Sequence, residues 1–99
     1  MPNLGPLSGQ KALVTGANSG IGQAVAAALG RAGADVVVNY VQGDDAAGAV
    51  VKQIEQSGSK AIACKADVSS EGDVALMFEQ AIKEFGTIDI LIANAGLQR

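Results

Sequence analysis

The chain has 99 residues, of which 48% are apolar and 17% charged, so its composition is that of a globular domain, or part of one, rather than of a disordered segment. Seven basic and ten acidic residues give a net charge of −3 with no lysine or arginine cluster, which argues against nucleic acid as a partner. There is no histidine and only one cysteine, Cys64, which excludes histidine-based catalysis, a disulfide framework and the common zinc sites. Neither a signal peptide nor an uninterrupted apolar span is visible, which favours a cytoplasmic protein with no membrane partner.

Short apolar runs alternate with helical patterns in the first half of the chain. A buried strand is predicted at 11–15, and after a glycine-rich turn a helix runs from about Gly20 to a stop near Gly33. A second, β-branched strand is predicted at 35–39, and its continuous apolar character is typical of a parallel sheet. We expect the first helix to bury the apolar residues that recur at helical spacing, namely Ile21, Ala24, Val25, Ala28, Leu29 and Ala32.

The same alternation continues in the second half. A helix is predicted to open at Asp44 and Asp45 and to bury Ala46, Ala49, Val50 and Ile54, and a strand follows at 60–66 with Cys64 in the core. A third helix opens at Ser69 or Ser70 and stops at Gly86, and a fourth strand covers 87–93. The predicted inner face of this third helix comprises Val74, Met77, Phe78, Ala81, Ile82 and Phe85.

The order β-α-β-α-β-α-β predicts an α/β fold, a partial Rossmann fold with four parallel strands in the order 3-2-1-4 and helices on both faces. We expect residues 1–8 to be disordered or extended. Residues 9–99 are expected to form the N-terminal part of a dinucleotide-binding domain, because a doubly wound sheet usually has a second half that is absent here.

The strongest local motif is the glycine-rich turn between the first strand and the first helix. Gly16, Gly20 and Gly22 give the spacing G-x-x-x-G-x-G, which differs from the commonest dinucleotide fingerprint, and the absence of a lysine after Gly22 rules out a P-loop. Glycines let a phosphate approach the backbone, and a helix N-terminus offers free N–H groups to an anion. The turn is therefore interpreted as a phosphate-binding site, with a purely structural turn as the alternative.

Three motifs taken together resemble the short-chain dehydrogenase/reductase family. These are Thr15-Gly16-x-x-x-Gly20-Ile21-Gly22, Asp67-Val68 after the third strand, and Asn94-Ala95-Gly96 after the fourth. The stretch 86–96 and the Asn39-Tyr40 ending of the second strand are similar to bacterial glucose 1-dehydrogenase-type members of that family.

The resemblance implies a role for each motif in binding NAD or NADP. Asp67 would contact the adenine amino group with Val68 beside the ring, although a turn or helix-start role is the alternative for Asp67. Asn94 would brace the sheet and, with Ala95 and Gly96, border the nicotinamide-side ribose; a purely structural tie is its alternative. The pyrophosphate and adenosine ribose would be lined by Gly16, Asn18, Ser19, Gly20, Ile21 and Gly22.

Cofactor preference is expected to depend on the end of the second strand, where a carboxylate would bind the ribose 2′-OH and repel a 2′-phosphate. Asn39 and Tyr40 stand there, followed by Val41 and Gln42, so the position is neither acidic nor basic. We therefore expect tolerance of both cofactors with NADP favoured, and Asn39→Asp is expected to shift the preference toward NAD.

The family's catalytic Tyr-x-x-x-Lys motif is absent. The only tyrosine is Tyr40, and Asp44 stands where the lysine would be, so the chain by itself is not expected to turn over substrate. The resemblance implies a homotetrameric parent enzyme that acts on a small alcohol or carbonyl, with a sugar such as glucose as a candidate substrate. The alternatives are a nucleotide-binding or interaction module without catalysis, and a truncated product that self-associates through an exposed sheet edge.

Overall fold

The computed structural model describes residues 5–18 and 20–94, and in this part of the chain four strands alternate with three helices as predicted. The strands form one parallel sheet in the order β3-β2-β1-β4, which confirms the predicted fold class and strand order. The elements are β1 (Lys11–Val14), α1 (Gly20–Arg31), β2 (Asp35–Tyr40), α2 (Asp44–Gln56), β3 (Ala61–Lys65), α3 (Glu71–Phe85) and β4 (Ile90–Ile92).

The core lies on both faces of the sheet, because successive side chains of each strand point to opposite sides. Val36 and Val38 of β2 pack in one cluster with residues of α1 and α2, whereas Val37 packs in a second cluster with Met77 and Ala81 of α3. Both faces of the central strands β1 and β2 are therefore covered, which explains their continuous apolar sequences.

The buried face of α1 is not the one that the sequence predicts. Small residues face the interior, namely Gly22, Ala26, Ala27 and Gly30, whereas 68% of Ile21 is exposed and Ala24 and Ala28 also lie on the outside. The reason is close packing: a Cβ added at Gly30 would lie 2.8 Å from Cγ2 of Ile54 in α2. Of the residues predicted from helical spacing, Leu29 packs partly against the core, but the fully buried positions of α1 are glycines and alanines outside the predicted set.

The predicted faces of α2 and α3 are largely confirmed. Val50 and Ile54 are buried in α2, but Ala47 takes the interior position that we expected of Ala46 and Ala49. In α3 the buried residues are Met77 and Ala81, with Phe78 and Phe85 partly buried beside them. The expectation for Ile82 is wrong, since 46% of it is exposed.

The limits of α3 follow from its capping residues. The Ser70 hydroxyl accepts a hydrogen bond from the amide of Asp73 at 3.2 Å, which satisfies one free N–H of the first turn. Gly86 ends the helix in the left-handed region with φ 84°, and its amide donates to the carbonyl of Ile82. Both ends confirm the boundaries predicted from sequence.

Residues 5–9 form a turn against the amino end of the sheet. The amide of Leu7 donates to the carbonyl of Ala32 at 2.7 Å, and the amide of Ser8 donates to the carbonyl of Gly5 at 3.0 Å. The Leu7 side chain packs against the cluster on the α1 side. Residues 5–8 lie in the segment 1–8, for which we expected a disordered or extended course, and here they form part of this turn. Residues 1–4 lie outside the described residues.

An ion pair joins two strands at the amino end of the sheet. Lys11 Nζ lies 2.6 Å from Asp35 Oδ2, and Asp35 Oδ1 accepts the amide of Lys60 at 2.9 Å. Burial alone raises the pKa of Asp35, but the hydrogen bonds and positive charges of Lys11 and Lys60 outweigh it and lower the pKa below its usual value. This pair lies at the end of the sheet opposite the glycine-rich turn.

No helix in the described ranges is long and apolar enough to cross a membrane.

Candidate functional site

The glycine-rich turn joins the carboxyl end of β1 to the start of α1. Gly16 has φ 61° and Gly20 has φ 55°, a region that favours glycine, so the predicted need for glycines here is confirmed at both positions. The first N–H groups of α1 lack intrahelical partners, and the positive end of the helix dipole lies at the same place. Ser19 lies outside the described residues.

Asn39 ties this turn to the neighbouring strands. Its Oδ1 accepts the amide of Gly16 at 3.1 Å, and its carbonyl accepts the amide of Ala17 at 2.8 Å. Its Nδ2 donates to the carbonyls of Cys64 at 3.2 Å and Ala66 at 3.1 Å. The Asn39 side chain is fully buried, so it is not accessible to a ligand and differs from the ribose-facing residue that we expected.

Asn94 approaches the same turn from the other side. Its amide donates to Thr15 Oγ1 at 2.8 Å and its Nδ2 donates to the carbonyl of Gly16 at 3.2 Å, so the sheet-bracing role expected of Asn94 has a structural basis. A Cβ at Gly22 would lie 2.2 Å from the Gly16 oxygen and 2.5 Å from Asn94 Nδ2. The third glycine is therefore required by this junction. Ala95 and Gly96 lie outside the described residues.

Asp67 and Val68 follow β3 at the same edge of the sheet. Asp67 Oδ1 accepts hydrogen bonds from the amide of Ser69 at 2.9 Å and from its hydroxyl at 2.6 Å. These bonds lower the pKa of Asp67, so the exposed carboxylate is charged at neutral pH. Asp67 thus has the turn role that we gave as its alternative, and the neighbouring Val68 side chain is 37% exposed.

At the end of β2 and in the loop after it, side chains are accessible to a ligand, unlike the buried side chain of Asn39. Tyr40 is partly buried, and Val41 and Gln42 are exposed. Asn18 reaches this loop from the glycine-rich turn, its Nδ2 donating to the carbonyl of Gln42 at 2.5 Å. Burial and the carboxylate of Asp44 raise the pKa of the Tyr40 phenol, which is the opposite of what a lysine at that spacing would do.

Four carboxyl ends of strands are thus linked around one turn. Ile21 exposes an apolar side chain beside the turn and Val68 exposes one beside β3, while the charged Asp67 stands next to Val68. A helix start with exposed apolar and acidic groups nearby is suited to a ligand that combines a phosphate with an aromatic ring. The described residues contain no group of three or more side chains that could hold a metal ion.

The buried role of Asn39 was missed in our reading of the sequence, although a signal for it was present. Side chains alternate along β2, so Asn39 shares a face with the core residue Val37, while Tyr40 lies on the opposite face with Val38. A polar residue on a core face needs buried partners. The partners themselves, the carbonyls of Cys64 and Ala66, could be placed only once the register of β2 and β3 was known.

The parallel sheet with a glycine turn opening its first helix defines a Rossmann-type dinucleotide-binding fold. A family model described as short chain dehydrogenase matches residues 10–99. The chain therefore belongs to the short-chain dehydrogenase family.

Individual relatives are similar over nearly the whole chain. Versicolorin reductase stcU of Emericella nidulans is 50% identical over 91 residues, which is 92% of this chain and 34% of the relative. The structure of landomycin C-6 ketoreductase LanV with bound NADP and rabelomycin is 46% identical with a TM-score of 0.80, covering 88% of this chain and 38% of that one. A 7α-hydroxysteroid dehydrogenase in complex with NADH and 7-oxo glycochenodeoxycholic acid is 42% identical with a TM-score of 0.82, over 91% and 34%. This chain thus spans about a third of the length of the relatives that it matches.

Proposed function

We propose that this chain is the cofactor-binding part of an NAD(P)-dependent oxidoreductase that interconverts an alcohol and a carbonyl. The observation that carries the proposal is the linked set of strand ends around the turn at Gly16, beside the exposed first residues of α1, Gly20 and Ile21. Membership of a family of oxidoreductases supports the reaction class. A relative with bound NADP and one with NADH support a nicotinamide dinucleotide as the ligand.

The residues present fit such a dinucleotide. The N–H groups at the start of α1 would bind the pyrophosphate, with Gly20 and Gly22 allowing it to approach the backbone. Asp67 would accept a hydrogen bond from the adenine amino group through its carboxylate, and the exposed Val68 would pack beside the ring. Ile21, exposed in the first turn of α1, would cover the ribose.

The far end of the site would hold the nicotinamide half of the cofactor. Asn94 is 2% exposed, and its Oδ1 is buried without a hydrogen-bond partner among the described residues. A buried acceptor of this kind needs a donor from a ligand, a water molecule or more of the protein. Ala95 and Gly96 would border the nicotinamide-side ribose next to it.

We also propose that the protein binds both NAD and NADP, with NADP favoured. At the end of β2 the accessible side chains are Tyr40, Val41 and Gln42, none of them a carboxylate that would repel a 2′-phosphate. Asp44 and Asp45 belong to the first turn of α2, where their charge complements the helix dipole.

Catalysis by the whole protein would need groups that this chain does not contain. When bound, the nicotinamide would accept or donate the hydride, and a tyrosine of lowered pKa would exchange the proton with the substrate oxygen. Tyr40 does not have the lysine of the Tyr-x-x-x-Lys motif, since Asp44 stands four residues on, and burial together with Asp44 raises its pKa. We therefore expect no turnover by the 99-residue chain. For the whole enzyme, the family resemblance implies a homotetramer.

The substrate class that we propose for the whole protein is a carbonyl on a fused-ring compound. Relatives named for hydroxynaphthalene and hydroxysteroid substrates support that class. A sugar such as glucose is the second candidate, supported by the stretch 86–96 and Asn39-Tyr40. Reduction of a fused-ring ketone and oxidation of glucose, assayed side by side with the full-length protein, distinguish the two.

The proposed binding is tested by titrating NADPH and NADH with the chain and following nicotinamide fluorescence, which is convenient because the chain has no tryptophan. We expect both to bind, NADPH more tightly. Failure of both to bind at millimolar protein would contradict the proposal for this chain, and tighter NADH binding would contradict the stated preference.

Asp67→Asn tests the adenine contact. Asn keeps an acceptor for Ser69 but loses the negative charge, so we expect both cofactors to bind about tenfold more weakly, as for loss of a charged hydrogen bond. Glu55→Gln is the matched control because Glu55 is exposed and acidic but lies in the last turn of α2, at the end of the helix that leads into the start of β3. An equal effect of the two substitutions would reduce the role of Asp67 to general charge.

A further inference from the structure

Asn39 occupies a position that contacts several parts of the proposed site without facing the ligand. It is fully buried, yet it bonds to the glycine-rich turn and to the carbonyls of Cys64 and Ala66, just before Asp67.

We propose that Asn39 is a positioning residue that sets the shape of the pyrophosphate-binding turn and fixes it relative to the Asp67 loop. The proposal rests on the proposed cofactor-binding function. It replaces a direct role in choosing between NAD and NADP, because a buried side chain cannot touch the 2′ position of a ribose.

The hydrogen bonds determine which amides of the turn remain open to an anion. The N–H of Gly16 is taken by Asn39 Oδ1 and the N–H of Ala17 by the Asn39 carbonyl. These two amides are therefore turned toward β2 and away from a ligand. The first turn of α1 offers amides to a pyrophosphate, and Gly16 and Ala17 orient this turn when they are held in this way.

The amide end of Asn39 carries the coupling to the adenine side. Nδ2 bridges the carbonyls of Cys64 and Ala66, and Asp67 follows Ala66 directly. The amide of Ala66 in turn donates to the carbonyl of Tyr40 at 3.0 Å, so the end of β3 is held by β2 at two neighbouring residues. One side chain thereby fixes the distance between the turn that would hold the pyrophosphate and the loop that would hold the adenine.

The chemistry of the amide is specific, which provides the test. Asp at position 39 keeps an acceptor for Gly16 but replaces two donated hydrogen bonds with a carboxylate facing two carbonyl oxygens, and Ala removes all three side-chain bonds. Val37→Ala is the matched control, since Val37 is buried on the same strand and face but has no polar atom. Its effect measures loss of packing alone.

Cofactor titrations at a temperature where each variant is folded give the first readout. We expect Asn39→Ala and Asn39→Asp to weaken NADPH and NADH by the same factor, about tenfold, and to leave the ratio of the two affinities unchanged. Val37→Ala is expected to leave both affinities unchanged. A change in the ratio toward NADH in Asn39→Asp, or an equal loss of affinity in Val37→Ala, would overturn the proposal.

Amide hydrogen exchange in the wild-type chain gives a second readout that needs neither cofactor nor variant. The amides of Gly16 and Ala17 are expected to exchange as slowly as those of β1, whereas the amide of Ile21 exchanges fast and becomes protected when NADPH is added. In Asn39→Ala we expect the Gly16 amide to lose protection while β1 keeps it. Fast exchange at Gly16 in the wild type would overturn the proposal. Failure of the wild type to bind either cofactor would contradict the proposed function instead, and the exchange of the Gly16 amide would still decide the role of Asn39.

Discussion

Replacing Gly22 by alanine tests whether the contact between the glycine turn and Asn94 is as close as the structure shows. The added Cβ would lie 2.2 Å from the Gly16 oxygen and 2.5 Å from Asn94 Nδ2. Ordinary contacts between heavy atoms begin at about 3.5 Å, so α1 would have to move by roughly 1 Å. That movement would also break the hydrogen bond from Asn94 to Gly16, because both groups meet at this point.

The magnitude follows from three contributions. Overpacking costs about 1–3 kcal/mol, and leaving the Asn94 amide and its acceptor unpaired costs about 1–3 kcal/mol more. The better helix propensity of alanine offsets about 1 kcal/mol of this cost. The free energy of unfolding should therefore fall by about 1–5 kcal/mol, which lowers the Tm of a domain of this size by roughly 4–40 °C.

Urea unfolding followed by circular dichroism measures this change, and Gly48→Ala is the matched control. Gly48 lies inside α2, where a Cβ would meet nothing within 4 Å. The control variant should be more stable than the wild type by about 0.5–1 kcal/mol, from helix propensity alone. A Gly22→Ala variant as stable as the wild type, or stabilised like the control, would refute the close approach and with it the account of the third glycine.

Three further outcomes follow from other parts of the fold. Gly30→Ala should destabilise the chain by about 1–2 kcal/mol because its Cβ would meet Ile54, and adding Ile54→Val should recover part of that loss in the same urea assay. Asp35→Asn should lower stability by about 1–2 kcal/mol at pH 7 by removing the pair with Lys11. The folded pKa of Asp35 is lowered, so the stabilisation that this pair gives the wild type should be complete above the unfolded pKa of about 3.9 and should disappear as the pH falls through the folded pKa. The urea midpoints of wild type and variant should therefore converge in acid. A constant difference between them down to about pH 2 would contradict this account. Ser70→Ala should cost about 1 kcal/mol through loss of the α3 N-cap, whereas Ser70→Asp should be neutral, and equal losses in both would argue against capping.

The order of elements could be predicted from the sequence because the central strands β1 and β2 are buried on both faces and α3 has clear ends. Ser70 and Gly86 are residue types that cap helices for local reasons, and both predictions are confirmed. The face of α1 could not be predicted in the same way. Which side of Gly22 and Gly30 is buried depends on how closely α2 and the neighbouring strands approach, and that is a property of the assembled fold.

The candidate site shows the same division between local and long-range information. The glycine turn was predictable because Gly16 and Gly20 adopt backbone conformations that favour glycine. The role of Asn39 was not, because its partners are 23 to 27 residues away and are fixed by the pairing of β2 with β1 and with β3. Whether Asp67 and Val68 contact a cofactor stays a prediction, since the turn at Ser69 explains the conformation of Asp67 without one.

The strand order gives a physical reason why motifs so far apart in the chain belong together. Because β1 lies between β2 and β4, the turn after β1 has a neighbouring strand on each side. Asn39 from β2 accepts the N–H of Gly16, and Asn94 after β4 donates to its carbonyl, so two asparagines hold the two polar groups of one glycine. Gly22 then packs against that junction from α1. The conformation that opens the helix start to an anion is therefore determined by residues from three strands and a helix, and it forms only when the sheet has assembled.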